Sequence, residues 1–308
     1  MTQETSLNQA VEILRVGGLV AIPTETVYGL GADARNENAL KKIFAAKGRP
    51  ADHPLIVHIG DISQLKDWAR DIPETVYLLA KHFWPGPLTL ILKKNPDVSD
   101  FVTGQQDSIG LRIPSHPIAL ALLKKFGSGI AAPSANRFGH ISPTTAEAVR
   151  EELGEAVDLI LEGGQCERGL ESTILNLSAD APVILRPGMI SRASLEKILK
   201  QEIVMTQNNA PRVSGSLESH YAPRTPTKLF SEDVRSLDEN IAILSYSGKP
   251  FSKGVVVKLS SDPEKYAHDL YQTLRELDHQ HFSTLWIERV PETSEWDAVR
   301  DRLVRASS

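Results

Sequence analysis

Lys47 and Arg49 are two cations one residue apart on a stretch of chain with little conformational freedom. A short amphipathic helix is predicted before them, because apolar residues recur at the spacing of one helix face: Leu40, Ile43 and Phe44. Gly48 and Pro50 mark the end of this helix, and Pro50 and Pro54 restrict the turn that follows. Cations at a helix C-terminus often only complement the helix dipole. The alternative interpretation is an anion-binding site.

Polar residues at a predicted strand end favour the anion-binding interpretation. The apolar runs Leu19–Pro23 and Leu55–Ile59 predict two strands that bracket the helix. The first strand is followed by several polar side chains: Thr24, Glu25, Thr26 and Tyr28. Ligands of α/β proteins usually bind where strands end. The stretch from 19 to 59 therefore predicts a site for an anion.

Arg112 lies inside another predicted strand, SIGLRIP at 108–114. Strand alternation places its side chain on the face opposite Leu111 and Ile113. An arginine there is either an edge residue that faces water or an inward anchor for a carboxylate or phosphate. The residues alone leave both interpretations open.

Small residues at 131–136 end a further predicted strand, and Ser134 and Asn136 add a hydroxyl and an amide. This pattern fits either close approach of a ligand to the backbone or a tight packing corner. The helix that follows is predicted to begin near Ser142, as an N-cap before a proline. A capping box of Thr144 with Glu147 is the other possible start. Either start presents a helix N-terminus to an anion.

The elements that must position these residues alternate between strands and helices. Strands are predicted at 19–23, 55–59, 88–92, 108–114, 129–133, 157–161, 173–177, 183–185, 241–246, 255–259 and 284–290. Further helices are predicted at 6–16, 63–82, 116–126, 143–153, 191–201, 263–280 and 294–306, and 95–107 is predicted to be loop. This mixture indicates an α/β protein.

Residues 202–226 carry no clear period and are rich in Asn, Gly and Pro, which is typical of a linker. They contain HYAPR at 220–224, an aromatic and basic cluster. One interpretation is a lid that folds over the cleft, with Tyr221 at the ligand. The other is that Tyr221 only docks the linker on a surface. The elements after the linker predict a small Rossmann-like domain with parallel pairing. It has no G-x-G-x-x-G, so no dinucleotide is assigned.

Composition limits the class of protein. A length of 308 residues suggests two domains, and 41% hydrophobic with 24% charged residues is typical of a globular chain. The net charge of −5 gives no overall attraction to nucleic acid, and no apolar run is long enough for a membrane span. The polar N-terminus lacks a signal core, so a cytoplasmic protein is expected. One cysteine, Cys166, excludes an internal disulfide and a cysteine-cluster zinc site.

Several motifs, taken in order, resemble the YrdC-like domain of threonylcarbamoyl-AMP synthases: PTETVYGLG, KGRPADHPLIVHI, FWPGPLT, SIGLRIP, APSANRFGHISPT, ESTI and LRPG. They cover about the first two-thirds of the chain. The later HYAPRTP resembles the long, two-domain form of the family. The resemblance implies a YrdC-like mixed twisted sheet with flanking helices, joined by a long linker to a small Rossmann-like α/β domain. The boundaries expected are 1–201 for the catalytic domain, 202–226 for the linker or lid, and 227–308 for the C-terminal domain.

The resemblance also implies an activity. L-threonine, bicarbonate and ATP with Mg²⁺ would give threonylcarbamoyl-adenylate and pyrophosphate, which makes the protein a nucleotidyltransferase. The product would serve the threonylcarbamoyl modification of the adenosine next to the anticodon of tRNA. The expected partners are the downstream tRNA threonylcarbamoyl-transferase proteins, with possible RNA contact and no membrane. The alternative is a double-stranded RNA or nucleotide-binding module without synthase activity.

Site residues follow from the resemblance, motif by motif. Lys47 and Arg49 would be catalytic. The residues expected at L-threonine are Thr26, His58, Arg112, Ala132 and Ser172. The residues expected at ATP are Lys47, Arg49, His53, Ser108, Ser134, Asn136, Ser142, Arg186 and Tyr221. His53 stands where many family members carry asparagine. No fixed protein ligand is expected for the metal, since Mg²⁺ would arrive with ATP.

Overall fold

The structure, a computed structural model, describes residues 3–179, 181–205, 210–215, 220–231 and 239–308. Its helices are α1 Gln3–Arg15, α2 Glu37–Lys47, α3 Glu74–Phe83, α4 Asp100–Thr103, α5 Pro117–Phe126, α6 Ala146–Leu153, α7 Arg192–Leu199, α8 Pro263–Asp278 and α9 Asp297–Ala306. Short 3₁₀ turns lie at Ile62–Asp67, Gly154–Ala156 and Ser294–Trp296. Within the described residues, no helix is long and apolar enough to cross a membrane.

A large mixed sheet forms the first unit. Its strands are β1 Val20–Ile22, β2 Gly29–Asp33, β3 Ile56–His58, β4 Leu88–Lys93, β5 Ser108–Arg112, β6 Ile130–Ala131, β7 Leu159–Ile160, β8 Thr173–Asn176, β9 Val183–Arg186 and β10 Val204–Met205. They lie in the order β10-β9-β8-β4-β5-β3-β6-β2-β1-β7. The pairs β3–β5, β4–β8, β1–β7 and β9–β10 are parallel, and the other neighbours are antiparallel. The predicted mixed sheet is confirmed.

A second, parallel sheet forms the other unit. Its strands are β11 Thr227–Phe230, β12 Ile241–Ser245, β13 Val255–Lys258 and β14 Thr284–Glu288, in the order β11-β14-β12-β13. Helix α8 begins at its N-cap Asp262, whose carboxylate accepts hydrogen bonds from two backbone N–H groups of the first turn. Its buried face recurs every three or four residues and packs on the sheet: Tyr266, Leu270, Leu274 and Leu277. The predicted small α/β unit is therefore present.

Several elements differ from the sequence prediction because their local signals are weak. The segment 95–107, predicted to be loop, contains the short helix α4, which Ser99 caps, and strand β11 was not predicted. The single helix predicted at 63–82 is a 3₁₀ turn at Ile62–Asp67 and a separate helix α3, which begins after Pro73. Proline favours the first turn of a helix or the position before it, so it separates the two pieces. Strand β2 was not predicted, since Gly29 and Gly31 interrupt its apolar pattern.

The start of α6 also differs from both predicted starts. Thr145 is the N-cap, and its side chain accepts a hydrogen bond from the N–H of Ala148. The predicted Ser142 N-cap and the capping box of Thr144 with Glu147 are wrong. Ser142 lies before the helix, and its hydroxyl donates to Glu171 at 2.6 Å. The hydroxyl that the local pattern assigns to the helix N-cap therefore binds a buried carboxylate 29 positions away.

The described residues of the segment predicted to be a linker include one short strand. Val204–Met205 form β10, which pairs in parallel with Val183 and Ile184 at the edge of the large sheet. Residues 206–209 and 216–219 of this segment lie outside the described residues. The described part of the linker, 210–215 and 220–226, runs between the two units.

Candidate active site

A cavity lies at the ends of several strands of the large sheet, beside the linker. We call it the central cavity. It is lined by Thr24, Thr26, Val27, Gly29, Ile56, His58, Arg112, Ala132, Pro133, Ser134, Glu171, Ser172, Arg186, Ser214, His220 and Tyr221. All five residues predicted at threonine are among them, together with three of those predicted at ATP.

Sheet topology brings the central residues together. Strands β3 and β5 are parallel neighbours, and His58 pairs directly with Arg112 in their register. On the far side of β4, Ser172 lies just before β8 and Arg186 ends β9, which runs antiparallel to β8. Residues distant in sequence therefore meet at one edge of the sheet, as strand ends in α/β proteins do.

Arg112 is 4% exposed and lines the cavity, so the interpretation as a water-facing edge residue is wrong. Its Nε donates to the carbonyl of Gly86 at 3.2 Å, and its Nη2 donates to Glu25 Oε1 at 2.6 Å. The other carboxylate oxygen of Glu25 accepts from the N–H of Ser115 at 3.0 Å. Two nitrogens of the guanidinium are thus fixed. Nη1 forms no hydrogen bond with the described residues and remains available for a ligand carboxylate.

His58 is held neutral beside Arg112. Burial and the nearby guanidinium lower the pKa of His58 to about 3. Its Nδ1 is buried and has no hydrogen-bond partner among the described residues. A neutral imidazole next to a fixed cation can donate or accept one hydrogen bond without adding charge to the cavity.

Lys47 is buried, and its side chain turns away from its own helix. Gly48 ends α2 in the left-handed conformation, with φ of 60°. The Lys47 ammonium donates to the carbonyls of Ser134 and Asn136, each at 2.5 Å. The plain helix-cap interpretation is therefore wrong, because the contacts are with a neighbouring loop. Lys47 does not line the central cavity, and burial with the charge of Arg49 lowers its pKa well below the ordinary value.

Arg49 lines a neighbouring cavity, which we call the outer cavity. Its Nη2 donates to the carbonyl of Pro54 at 2.8 Å, and its Nη1 contacts the hydroxyl of Ser214 at 3.4 Å. Its Nε is buried without a hydrogen-bond partner among the described residues. Burial lowers its pKa to about 10, so the side chain stays cationic at neutral pH. The cavity also holds His53 and shares His220 with the central cavity.

Arg186 fixes the loop that carries Ser172. Its Nε and Nη2 donate to the Ser172 carbonyl at 3.1 and 2.9 Å, and its Nη1 donates to the carbonyl of Ser214 in the linker at 2.9 Å. The guanidinium is 3% exposed and lines the central cavity. Arg186 therefore joins the sheet to the linker at the place where a ligand would bind.

The remaining residues predicted at ATP are distributed around this centre. Ser134 lines the central cavity, and Ser108 lines a third cavity, bounded in part by Ser214. The Asn136 amide donates to loop carbonyls at 2.7 and 2.9 Å, so it shapes the loop that Lys47 holds. Like Lys47 and Asn136, Ser142 lines none of these three cavities. As it stands, the structure does not bring these three side chains to the cavity surface.

The linker closes one side of the central cavity. Tyr221 is 1% exposed, has φ of 62°, and stacks on Tyr271 of α8 with ring centroids 5.8 Å apart. The His220 ring lies 4.1 Å from the Tyr221 ring. Gly215 has φ of 79°, and a Cβ there would lie 2.0 Å from the Tyr221 hydroxyl. A glycine is therefore required where the two described parts of the linker meet.

Both units hold the linker. The N–H of Ala222 donates to the carbonyl of Gly139 at 3.0 Å in the first unit. The N–H of Thr225 donates to Asp278 of α8 at 2.7 Å. The Arg224 side chain is exposed and lines a different cavity, so it is not brought to the central one. The linker is thus attached to both units just after Tyr221.

Glu171, Tyr271 and Arg302 were not predicted as site residues, and they connect the cavity to the second unit. Glu171 lines the cavity and accepts hydrogen bonds from Ser142 at 2.6 Å, from Tyr271 at 3.1 Å, and from Arg302 Nε at 2.8 Å. Burial would raise the pKa of Glu171, but Arg302, Arg186 and the Ser142 hydroxyl together lower it to about 2. Tyr271 and Arg302 lie on amphipathic helices, where no local signal distinguishes them from core residues.

The chemistry of this site suits an anionic ligand. Buried arginines with uncommitted N–H groups stabilise carboxylates and phosphates more strongly than exposed ones do. Among the described residues, no group of three or more His, Cys, Asp or Glu could hold a metal ion. The acid in the cavity wall, Glu171, already accepts hydrogen bonds on both oxygens. A divalent cation that enters this site would thus fit best as a complex with the ligand's phosphates.

Comparison with known proteins adds independent information. Residues 12–188 match a family model named for Sua5, YciO and YrdC, with the description "Telomere recombination". Residues 190–308 match a model described as "Threonylcarbamoyl-AMP synthase, C-terminal domain". A threonylcarbamoyl-AMP synthase of Bacillus subtilis is 39% identical, over 99% of this chain and 94% of the relative. One of Pyrococcus abyssi is 38% identical, over 99% and 95%.

The three-dimensional structure shows the same similarity. The crystal structure of P. abyssi Sua5 complexed with L-threonine superposes with a TM-score of 0.91 at 36% identity. The match covers 100% of this chain and 95% of that one. The arrangement of both sheets is therefore shared over the whole length.

Proposed function

The chain belongs to the threonylcarbamoyl-AMP synthase family, and we propose from this that the central cavity and the neighbouring cavities form its active site. As in the family, the protein makes threonylcarbamoyl-adenylate and pyrophosphate from L-threonine, bicarbonate and ATP. The reaction is a nucleotidyl transfer, and its product serves the threonylcarbamoyl modification of tRNA. The family predicted from the sequence motifs is confirmed.

One observation carries the assignment of the site. Arg112 and Arg186 line the same buried cavity, 4% and 3% exposed, and the linker residue Tyr221 closes it. Two fixed cations in one enclosed space suit a ligand with a carboxylate at one end and phosphates at the other. The RNA-binding alternative is disfavoured, because cations that are this deeply buried cannot contact a duplex.

The threonine end of the site is proposed at Arg112. The free Nη1 of Arg112 would bind the substrate carboxylate, while Glu25 and the Gly86 carbonyl hold the guanidinium in place. The other expected contacts line the same wall: Thr26, His58, Ala132 and Ser172. The L-threonine in the related P. abyssi structure supports a threonine site in this chain.

The ATP end is proposed across the central and outer cavities. Ser134, Arg186 and Tyr221 line the first, and Arg49 and His53 line the second. Lys47 donates to two carbonyls, and its third N–H, which contacts Asn136 Oδ1 at 3.5 Å, would have to turn to a phosphate oxygen. The other proposed contacts are Ser108, Asn136 and Ser142. Of these, Asn136 and Ser142 would have to leave their present partners.

The proposed reaction has two chemical steps. The threonine amine takes up carbon dioxide from bicarbonate to form a carbamate, with loss of water. A carbamate oxygen then attacks the α-phosphorus of ATP, and the bond to the leaving pyrophosphate breaks. Arg49 and Lys47 would stabilise the charge that develops on the phosphates. Mg²⁺, bound to the phosphate oxygens of ATP, would neutralise part of the pyrophosphate charge.

The linker is proposed to act as a lid. A carbamate is labile in water, so the cavity must exclude solvent while the intermediate exists. Tyr221 already covers the cavity, and the attachments of Ala222 and Thr225 to the two units would keep it there. We retain 1–201, 202–226 and 227–308 as proposed domain boundaries. Cytoplasmic location, the downstream transferase proteins and direct RNA contact are likewise proposals.

The function is tested by incubating the protein with ¹⁴C-bicarbonate, L-threonine, ATP and Mg²⁺, and separating the nucleotides. We expect a labelled nucleotide that forms only when threonine and ATP are both present. Arg112→Lys keeps the charge but loses the planar fork, so it should raise the KM for threonine more than that for ATP. Salt-sensitive RNA binding without any labelled nucleotide would instead support the RNA-binding module.

A further inference from the structure

Glu171 places a negative charge where the proposed function requires a polyanion to bind. Among the described residues that line the central cavity, it is the one acid, and it is 6% exposed. Arg186 and Tyr221, both proposed at ATP, line the same cavity. Like charges in a buried site repel strongly, because water does not screen them. A bare Glu171 carboxylate would therefore oppose a triphosphate.

Arg302 of α9 supplies the compensating charge. It is 0% exposed, and its Nε donates to Glu171 Oε2 at 2.8 Å. Its Nη1 donates to the carbonyl of Pro187, in the loop after Arg186, at 3.0 Å, and to Asp301 Oδ2 at 2.6 Å. Arg305 also pairs with Asp301, at 3.0 Å, so Asp301 does not claim the charge of Arg302 alone. The guanidinium carbon of Arg302 lies 5.1 Å from the centre of the Tyr221 ring. One side chain of the second unit thus touches the carboxylate, the loop after β9 and the lid.

The other groups near Glu171 compensate its charge less directly, and Arg186 does so only through space. Ser142 and Tyr271 donate neutral hydroxyl hydrogen bonds, at 2.6 and 3.1 Å. Arg186 gives its N–H groups to the Ser172 carbonyl and hydroxyl and to the linker carbonyl of Ser214. Arg302 is the cation that forms a direct ion pair with this carboxylate among the described residues.

We propose that Arg302 is a positioning residue that makes the cavity able to accept ATP, by neutralising Glu171 and holding its carboxylate toward the second unit. This inference rests on the proposed function. It gives the second unit a task in nucleotide binding beyond attachment of the lid. Arg302 need not touch ATP for this effect, since it acts through Glu171.

The chain provides a matched control for loss of contact between the units. Arg275 of α8 forms the other buried ion pair between them that the described part of the chain contains, with its Nη1 3.0 Å from Glu152 Oε1. Neither residue lines the central cavity. Arg275→Gln therefore removes a similar pair and weakens docking of the units, but it leaves no unpaired carboxylate at the proposed ATP site.

The test measures ATP binding by titration calorimetry, in the full-length protein with Mg²⁺, for four variants: R302Q, E171Q, E171Q/R302Q and R275Q. We expect R302Q to raise the Kd for ATP roughly tenfold or more. The double variant should return to within about threefold of the wild type, because the repelling charge is gone. R275Q should have little effect on the Kd. The KM for ATP should rise in R302Q more than the KM for threonine.

Several results would overturn the proposal. Weak ATP binding in both R302Q and the double variant would show that Arg302 matters only for docking, and so would equal losses in R302Q and R275Q. An unchanged Kd in R302Q would also overturn it. If R302Q does not fold, the double variant E171Q/R302Q provides the test. The proposal then requires this variant to bind ATP with nearly the wild-type Kd. A wild-type protein that binds ATP but forms no labelled adenylate would refute the proposed function without affecting this comparison.

Discussion

Lys47 holds a loop, so its removal should affect both stability and activity. Its ammonium is the partner of the Ser134 and Asn136 carbonyls, and Lys47 is 3% exposed. Lys47→Ala would leave these carbonyls buried without their donor. We expect the free energy of unfolding to fall by about 2 kcal/mol. Adenylate formation should also fall at least tenfold, because the loop carries two proposed ATP contacts. Urea unfolding and the labelled-bicarbonate assay measure the two effects.

Lys42 on the same helix is the control for this prediction. Its Nζ donates to the carbonyl of Gly17 at 2.7 Å, and neither residue lines the central cavity. Lys42→Ala should therefore have a small effect on stability and none on adenylate formation. Full activity and unchanged stability in Lys47→Ala would contradict the role of Lys47 in the loop.

Single residues show where sequence reasoning succeeds and where it stops. Alternation along β5 correctly placed Arg112 opposite Leu111, since strand geometry fixes sides regardless of the rest of the fold. The same reasoning could not find the partner of Glu171. That partner, Arg302, lies 131 positions further along the chain, on a helix whose pattern is ordinary. Long-range ion pairs depend on how the units dock, and local periodicity carries no information about docking.

Among the larger elements, the linker has a steric requirement at Gly215. Gly215→Ala would place a Cβ at positive φ and 2.0 Å from the Tyr221 hydroxyl. Because both the backbone and Tyr221 would have to move, we expect the lid to be displaced. Adenylate formation should fall at least tenfold, and a protease should cut the linker faster than in the wild type. Protection of the linker by ATP with threonine should also be lost.

Gly127→Ala separates the clash from ordinary backbone strain. Gly127 also has φ of 78°, but a Cβ there would meet nothing within 4 Å. Gly127→Ala should lower the free energy of unfolding by only about 1 kcal/mol, and it should leave activity and cleavage of the linker normal. If Gly215→Ala behaves in the same way as Gly127→Ala, contact between Gly215 and Tyr221 does not control the lid.

The prediction of elements was good where the local signal was strong. Helix α8 has a cap, a proline at its start and a regular apolar face, and all three are local. Strand β2 and the break before α3 were missed, because Gly29 and Gly31 weaken one pattern and Pro73 divides another. The described strand within the predicted linker, Val204–Met205, exists because β9 offers a free edge. Such an edge is a property of the assembled sheet.

The whole molecule should lose docking between its units in acid. Two buried carboxylates bind arginines of the second unit, Glu152 to Arg275 and Glu171 to Arg302. Burial opposes the ionisation of both carboxylates. His140 and Arg275 nevertheless lower the pKa of Glu152 to about 2. Arg302 and Arg186 lower the pKa of Glu171 to about 2. Both values lie below the ordinary value of 4.5. The two carboxylates therefore contribute fully to the free energy of unfolding above pH 4.5, and this contribution is lost as the pH falls toward 2.

Urea unfolding at pH 6 and pH 3 tests this. Each carboxylate should account for about 2 kcal/mol of the decrease in the free energy of unfolding between these values. Glu152→Gln cannot lose a proton, so its decrease should be smaller than that of the wild type by this amount. An equal decrease in both proteins would show that Glu152 does not couple docking of the units to pH.

The ion pair of Glu171 with Arg302 also has a consequence for protein synthesis. The two residues are 131 positions apart, and Glu171 is made first. At ordinary elongation rates, on the order of ten seconds pass before Arg302 is polymerised. During that interval, the large sheet can be complete on the ribosome while its cavity still contains an uncompensated charge. A nascent chain at this stage would repel nucleotide, so ATP could not assist the folding of the first unit until the second had been translated.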